Sequence, residues 1–117
     1  MKPVANPYAP LFDSIFELKN PVQLYRVDIL GMFDCGDIGE LTECCAVYWP
    51  MSMTESDNHI IILADEHTNT LDTYMGTLAH EYIHAWQEEN GFELYHSEKT
   101  QFKPWARYLK RYYGITV

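Results

Sequence analysis

The chain has 117 residues and a formal net charge of −9, and 47% of its residues are hydrophobic and 21% charged. Its length suits one compact unit, so we expect a single domain over residues 1–117 with one core. The hydrophobic share excludes intrinsic disorder. The acidic balance argues against a protein whose whole surface binds nucleic acid.

The sequence predicts a cytoplasmic protein without a membrane span. Its longest apolar candidate, His59–Ala64, is far shorter than the roughly 18–20 residues that a spanning helix needs. Prolines stand near the N-terminus where a signal peptide would carry an apolar stretch. Cys35, Cys44 and Cys45 form an odd set without Cys-x-x-Cys spacing, which indicates reduced thiols without an assigned role.

The first half of the chain predicts a short helix followed by three strands. Apolar side chains between Leu11 and Leu18 recur at helical spacing, and this helix should end before Asn20-Pro21. Residues rich in β-formers predict strands at 22–30, 44–49 and 59–63, separated by a Gly/Asp loop at 34–39 and a polar linker at 52–58. Connections this short favour an antiparallel or mixed sheet.

The second half predicts two longer helices, which makes the fold class α+β. From Leu71 onward, apolar residues recur at three and four positions, with Thr70 as a candidate N-cap and Gly91 as the terminator. The last helix is expected at about residues 100–113, with Phe102 and Trp105 on its apolar stripe.

The long helix contains the His-Glu-x-x-His pattern, at residues 80–84. Side chains four residues apart lie on one helix face, so His80 and His84 can converge on one metal ion. Glu81 lies beside them, where it can take a proton from water. Two surface histidines at helical spacing would show the same pattern, so the interpretation depends on its context.

A third ligand is predicted after the turn at Gly91. His96 can fold back toward the helical pair and complete the three protein ligands that catalytic zinc sites usually have. Glu93 and Glu98 are the alternatives, because carboxylates also bind zinc. Imidazole ligands favour Zn²⁺ over Mg²⁺ or Ca²⁺, which prefer oxygen.

The sequence around this motif resembles the SprT-like metallopeptidase family, which includes the Spartan proteases that digest DNA–protein crosslinks. The likeness rests on the run TLAHEYIHAWQ at residues 77–87, followed by Gly91, Tyr95-His96, Phe102 and Trp105, and on the strand CCAVYWP at residues 44–50. It covers roughly residues 25–113. The chain lacks the C-terminal zinc ribbon of larger members, so it is similar to compact bacterial or phage versions.

The resemblance implies a zincin-like fold with an N-terminal helix, a three-stranded sheet, the motif helix and a C-terminal helix. It also implies that His80, His84 and His96 bind one catalytic zinc and that Glu81 is the general base. The predicted activity is hydrolysis of peptide bonds by a zinc-activated water. DNA-associated proteins are possible substrates.

Two other function classes are consistent with the same residues. One is a catalytically silent zinc-binding interaction protein, for example a phage protein that binds a host partner. The other is a nucleic-acid-associated adaptor with a structural metal, since every Asp and Glu lies at or before Glu98 and five basic residues follow it. Those residues are Lys99, Lys103, Arg107, Lys110 and Arg111. With so few cations on an acidic chain, we expect nucleic-acid binding to be weak.

Overall fold

The structure is a computed structural model that describes residues 2–28 and 46–117. Within those residues the α+β class is confirmed. The elements in chain order are α1 (Ala9–Phe16), β1 (Val22–Val27), β2 (Ala46–Trp49), α2 (Met51–Thr54), β3 (His59–Ala64), a 3-10 turn (Asp65–His67), α3 (Leu71–Glu89) and α4 (Phe102–Tyr113). No helix in these two ranges is both long and apolar enough to cross a membrane.

Most of the predicted elements form close to their expected limits. The predicted loop at residues 34–39, the end of the first predicted strand at residues 29–30, the start of the second at residues 44–45, and the three cysteines lie outside the described residues. The polar linker after the second strand contains a single helical turn, α2, which follows the extended residue Pro50. Leu71 is 63% exposed, because it begins α3 ahead of the buried stripe.

The three strands form a mixed sheet in the order β1-β3-β2. β1 runs parallel to β3, with Val22 opposite His59 and Val27 opposite Ala64. β2 runs antiparallel to β3, with Ala46 opposite Leu63. β3 is the central strand, and five of its six residues are buried, which agrees with its apolar sequence.

The main core lies between one face of the sheet and the helices. Leu24, Ile61 and Leu63 from the sheet belong to the same buried cluster as Leu78 and Ile83 of α3. Aromatic rings continue this core toward the other helices. Phe12 of α1 stacks on Tyr82 of α3 at a centroid distance of 4.8 Å, and Phe16 packs against Trp105 of α4 at 4.5 Å.

The predicted N-cap of α3 is confirmed. The Thr70 side chain accepts a hydrogen bond from the backbone N–H of Thr73, and the Thr73 hydroxyl accepts one from the backbone N–H of Thr70. This reciprocal arrangement satisfies backbone donors that the first turn would otherwise leave unpaired. The position at which α3 begins is therefore determined by hydrogen bonds between neighbouring residues.

Glu89 ties the end of α3 to the start of the sheet. Its carboxylate accepts hydrogen bonds from the backbone N–H groups of Lys19 (2.6 Å) and Asn20 (3.0 Å) and lies 2.5 Å from Nε2 of the fully buried His59. Burial alone would raise the pKa of Glu89, but these hydrogen bonds outweigh it and hold the pKa below its usual value of 4.5.

Glu88 forms a second connection beside the first. Its carboxylate accepts hydrogen bonds from the Tyr48 hydroxyl and the backbone N–H of Met51, both at 2.7 Å, and from Ser52. The Tyr48 hydroxyl also lies 2.7 Å from Nδ1 of His59, which joins the two connections. Burial would raise the pKa of Glu88, but the hydrogen bonds lower it.

The Glu89 connection predicts acid-sensitive stability. A carboxyl group whose pKa is lower in the folded state stabilises the fold above its unfolded pKa, and the contribution is lost as pH falls through the folded value. The free energy of unfolding should therefore decrease as pH drops below 4.5. Glu89→Gln should reduce it by about 1–3 kcal/mol at neutral pH and flatten this pH dependence.

Urea unfolding followed by circular dichroism at several pH values measures both effects. Glu55→Gln is the matched control, because Glu55 is exposed and should leave the curve unchanged. An unaltered pH dependence in Glu89→Gln would contradict the assignment.

Candidate metal centre

The helical repeat of α3 brings His80 and His84 together. They lie one turn apart, and their ring centroids are 5.0 Å from each other. His84 is buried and His80 is partly exposed. The pair therefore lines a surface that is open on one side.

A tight turn after α3 returns the chain toward this pair. Gly91 has a φ of 77°, a left-handed conformation that glycine adopts without strain. The backbone N–H of Phe92 donates to the carbonyl of Gln87, and that of Gly91 donates to Glu88, which is the pattern of a Schellman motif. The ring of Phe92 stacks on Trp86 at 5.4 Å, the apolar contact that accompanies such a turn.

The returning loop places His96 against both helical histidines. Nε2 of His96 lies 3.1 Å from Nε2 of His80 and 3.1 Å from Nε2 of His84. One ligand atom from each of the three residues lies within 4.8 Å of the others. The three histidines that the sequence predicted as metal ligands thus form one cluster that could hold a metal ion.

Of the two alternative third ligands, Glu98 points elsewhere. Its carboxylate is bound by both terminal nitrogens of the Arg107 guanidinium, which lowers the Glu98 pKa. Glu93 is exposed and does not belong to the cluster. Among the described residues, His96 is the side chain that joins His80 and His84.

Phe102 forms an aromatic wall behind the cluster. Its ring centroid lies 4.8 Å from that of His80, 5.4 Å from that of His84 and 4.6 Å from that of His96. The sequence indicated Phe102 as an apolar residue of the last helix and as one of the residues that carry the likeness to SprT-like proteases. Neither indication predicted that the Phe102 ring contacts all three imidazoles.

The electrostatic environment keeps the imidazole nitrogens available. Burial lowers the pKa of His80 to about 3, and the neighbouring His84 and His96 rings add to this shift. At neutral pH the His80 ring is therefore uncharged. A neutral imidazole offers the lone pair that a metal ion requires.

Glu81 is buried next to these residues, with 6% of its surface exposed. It follows His80 on α3. Its charge contributes to the raised pKa of the Tyr48 hydroxyl, although burial and the carboxylates of Glu88 and Glu89 contribute more. Carboxylates are rarely buried to this extent without a role or a partner. The structure thus places the predicted base in the same region as the three histidines.

The side chain of Gln87 supports the cluster, and sequence reasoning assigned it no role. It has no exposed surface, and its amide contacts Nδ1 of His84 and two backbone carbonyls in the loop that carries His96. Its position three residues after His84, on the same helical face, is the one sequence signal that could have identified it.

Comparison of the chain with protein-family models, curated proteins and solved structures finds no match. The likeness to the SprT-like family therefore stays a prediction. The function must be inferred from the geometry of the cluster and of the residues around it.

The cluster predicts binding of about one transition-metal ion per chain. His80→Ala and His84→Ala should each abolish metal retention at neutral pH. His96→Ala should weaken the affinity by more than about 100-fold, because losing a residue that only supports a ligand already costs about 10–100-fold. Elemental analysis and titration calorimetry with Zn²⁺ measure these changes.

His67→Ala is the matched control, because this histidine lies in the 3-10 turn and outside the cluster. Unchanged zinc affinity in His96→Ala, together with loss of zinc affinity in Glu93→Ala, would show that His96 is not the third ligand.

Proposed function

We propose that this protein is a zinc-dependent metallopeptidase that hydrolyses peptide bonds. The observation that carries this proposal is the convergence of three imidazole rings beside the helix that bears Glu81. Nε2 of His96 lies 3.1 Å from Nε2 of His80 and 3.1 Å from Nε2 of His84. A metal site and a buried acid are the two components that metal-assisted hydrolysis requires.

Zinc fits the donor set better than other common ions. Two nitrogens bound to tetrahedral zinc at about 2.0–2.1 Å lie about 3.3 Å apart, close to the separations observed here. Three imidazole ligands suit a borderline-soft ion, whereas Mg²⁺ and Ca²⁺ prefer oxygen. Three protein ligands is also the number typical of catalytic zinc sites.

In the proposed reaction, water adds to a peptide carbonyl and the peptide C–N bond breaks. A zinc ion held by the three histidines would supply a Lewis acid for this step. The Glu81 carboxylate takes a proton from the attacking water and delivers it to the nitrogen of the leaving amine. The position of Glu81 supports this role, because Glu81 directly follows His80 on α3 and its side chain is buried.

The sequence likeness to SprT-like proteases supports the same activity and extends it to proteins associated with DNA. Of the residues that carry the likeness, His80, His84 and His96 form the cluster, and Glu81 directly follows His80 on α3. The zincin-like family assignment belongs to this proposal.

A catalytically silent zinc-binding protein would use the same histidines to stabilise a surface for a partner. Such a protein would not require an acid next to the metal ligands, and the chain has Glu81 directly after His80. A structural zinc site would normally have four protein ligands, and the cluster within residues 2–28 and 46–117 has three. These two observations support the peptidase over the silent binding protein in our proposal.

Replacing Glu81 separates metal binding from chemistry. Glu81→Gln should retain zinc and the native circular dichroism spectrum but reduce kcat by about 100- to 10,000-fold, because an amide cannot accept the proton. The assay incubates the zinc-loaded protein with an unfolded protein substrate and follows new amino termini.

Glu93→Gln is the matched control and should keep full activity, because Glu93 is exposed and lies outside the cluster. Full turnover in Glu81→Gln would remove the proposed mechanism. Loss of zinc in that variant would instead assign Glu81 a structural role.

Nucleic acid is at most a weak partner in this proposal. The cations of α4 are Lys103, Arg107, Lys110 and Arg111. Arg107 is held by Glu98, and the Lys110 ammonium donates to the Thr116 hydroxyl at 2.9 Å. Fewer cations are therefore available for phosphates than the sequence count suggests.

We expect binding to single- or double-stranded DNA to be independent of sequence and to disappear between low and physiological salt. Each phosphate contact contributes a slope of only about 0.7–0.9 to the logarithmic salt dependence. Proteolysis should proceed without DNA. Fluorescence titrations at two salt concentrations and cleavage assays with and without DNA test this, and strictly DNA-dependent cleavage would contradict it.

A further inference from the structure

Gln87 lies at the centre of a small hydrogen-bond network behind the histidine cluster. It is completely buried on α3, and one end of its amide lies 2.8 Å from Nδ1 of His84. The other end lies 3.0 Å from the carbonyl oxygen of Tyr95 and 3.0 Å from that of Thr100. These three hydrogen bonds connect the amide to one histidine of the cluster and to the loop that carries another.

The chemistry of these partners determines how the amide is oriented. Carbonyl oxygens only accept hydrogen bonds, so the end that faces Tyr95 and Thr100 must be the NH₂ group. The amide oxygen then faces His84 and can only accept. Reversing the amide would place one acceptor against two others inside the protein, with a cost of several unmade hydrogen bonds.

This orientation determines the tautomer of His84. Because Gln87 offers an acceptor to Nδ1, that nitrogen must carry the hydrogen. In the neutral ring Nε2 is then unprotonated, and it is Nε2 that lies 3.1 Å from the His96 ring. The lone pair of His84 therefore points into the cluster before any metal binds.

The same amide also holds the loop around His96. Tyr95 and Thr100 flank His96 in sequence, and both of their carbonyls accept from Gln87. The Thr100 hydroxyl donates a further hydrogen bond to the Tyr95 carbonyl at 2.5 Å, and Ser97 and Thr100 bond to each other. The loop is thus closed on itself and anchored to α3 through one side chain.

We propose that Gln87 is a positioning residue that prepares two of the three ligands at once. It sets the tautomer of His84 directly, and it places His96 by anchoring both sides of its loop. The consequence for metal binding rests on the proposed zinc site, whereas the tautomer and the loop anchoring are properties of the metal-free protein. Residues that orient a metal-binding histidine typically change affinity by about 10–100-fold.

Two substitutions separate the two actions. Gln87→Glu keeps an acceptor for Nδ1 of His84 but removes both donors to the loop. In Gln87→Met the new side chain has a similar length but provides neither the acceptor for His84 nor the donors to the loop. A residue that only fills space would give the same result in both variants, because both preserve most of its volume.

The decisive measurement is long-range ¹H–¹⁵N correlation NMR of the histidine rings in the metal-free protein at neutral pH. The wild type should show His84 with its hydrogen on Nδ1. Gln87→Glu should retain that tautomer, while amide hydrogen exchange in residues 95–100 becomes faster. Gln87→Met should shift His84 toward the Nε2–H tautomer and accelerate the same exchange.

Zinc titration then connects these changes to the site. Gln87→Met should lower zinc affinity by about 10–100-fold. Gln23→Met, a matched change on β1, should have no effect. An Nε2–H tautomer of His84 in the wild type, or unchanged zinc affinity in a folded Gln87→Met, would overturn the proposal.

If Gln87→Met does not fold, the wild type and Gln87→Glu still decide the question, because their tautomers and exchange rates are predicted separately. If the wild type binds no zinc, the proposed function fails. The NMR result for the metal-free protein then still shows whether Gln87 orients His84 and its loop.

Discussion

The helical repeat of α3 is the constraint on which the candidate site depends. Residues three and four apart share a face, so His80, His84 and Gln87 follow one another along the helix. Tyr82 and Ile83 of the same helix are completely buried in the core between helices and sheet. The same helix therefore contributes to the core and carries two histidines of the cluster. The packing of its buried side chains holds these histidines in place.

The third histidine comes from a loop, and loops are usually the less rigid part of a site. Here the loop is held by the same helix that carries the other two histidines of the cluster. The Schellman turn at Gly91 reverses the chain, Gln87 anchors the carbonyls on both sides of His96, and Phe102 packs against the ring. Each of these contacts limits the positions that His96 can adopt before a metal binds.

Carboxylates at the end of α3 hold the helix against the sheet. Glu88 and Glu89 reach the start of α2, the Tyr48 hydroxyl and the buried His59, while the Thr70 cap sets the opposite end. Hydrogen bonds to charged groups are stronger than those between neutral groups, which suits them to joining separate elements. The orientation of α3 thus depends on polar contacts as well as on the apolar core.

The sequence by itself determined the local features of this protein: the period and cap of α3, the glycine that ends it, and the spacing of His80 and His84. These follow from interactions between residues close in the chain. Only the tertiary structure decided that β1 pairs in parallel with β3, that His96 and not Glu98 joins the cluster, and that Gln87 contacts both His84 and the loop. Such choices depend on packing between residues distant in sequence, which no local periodicity records.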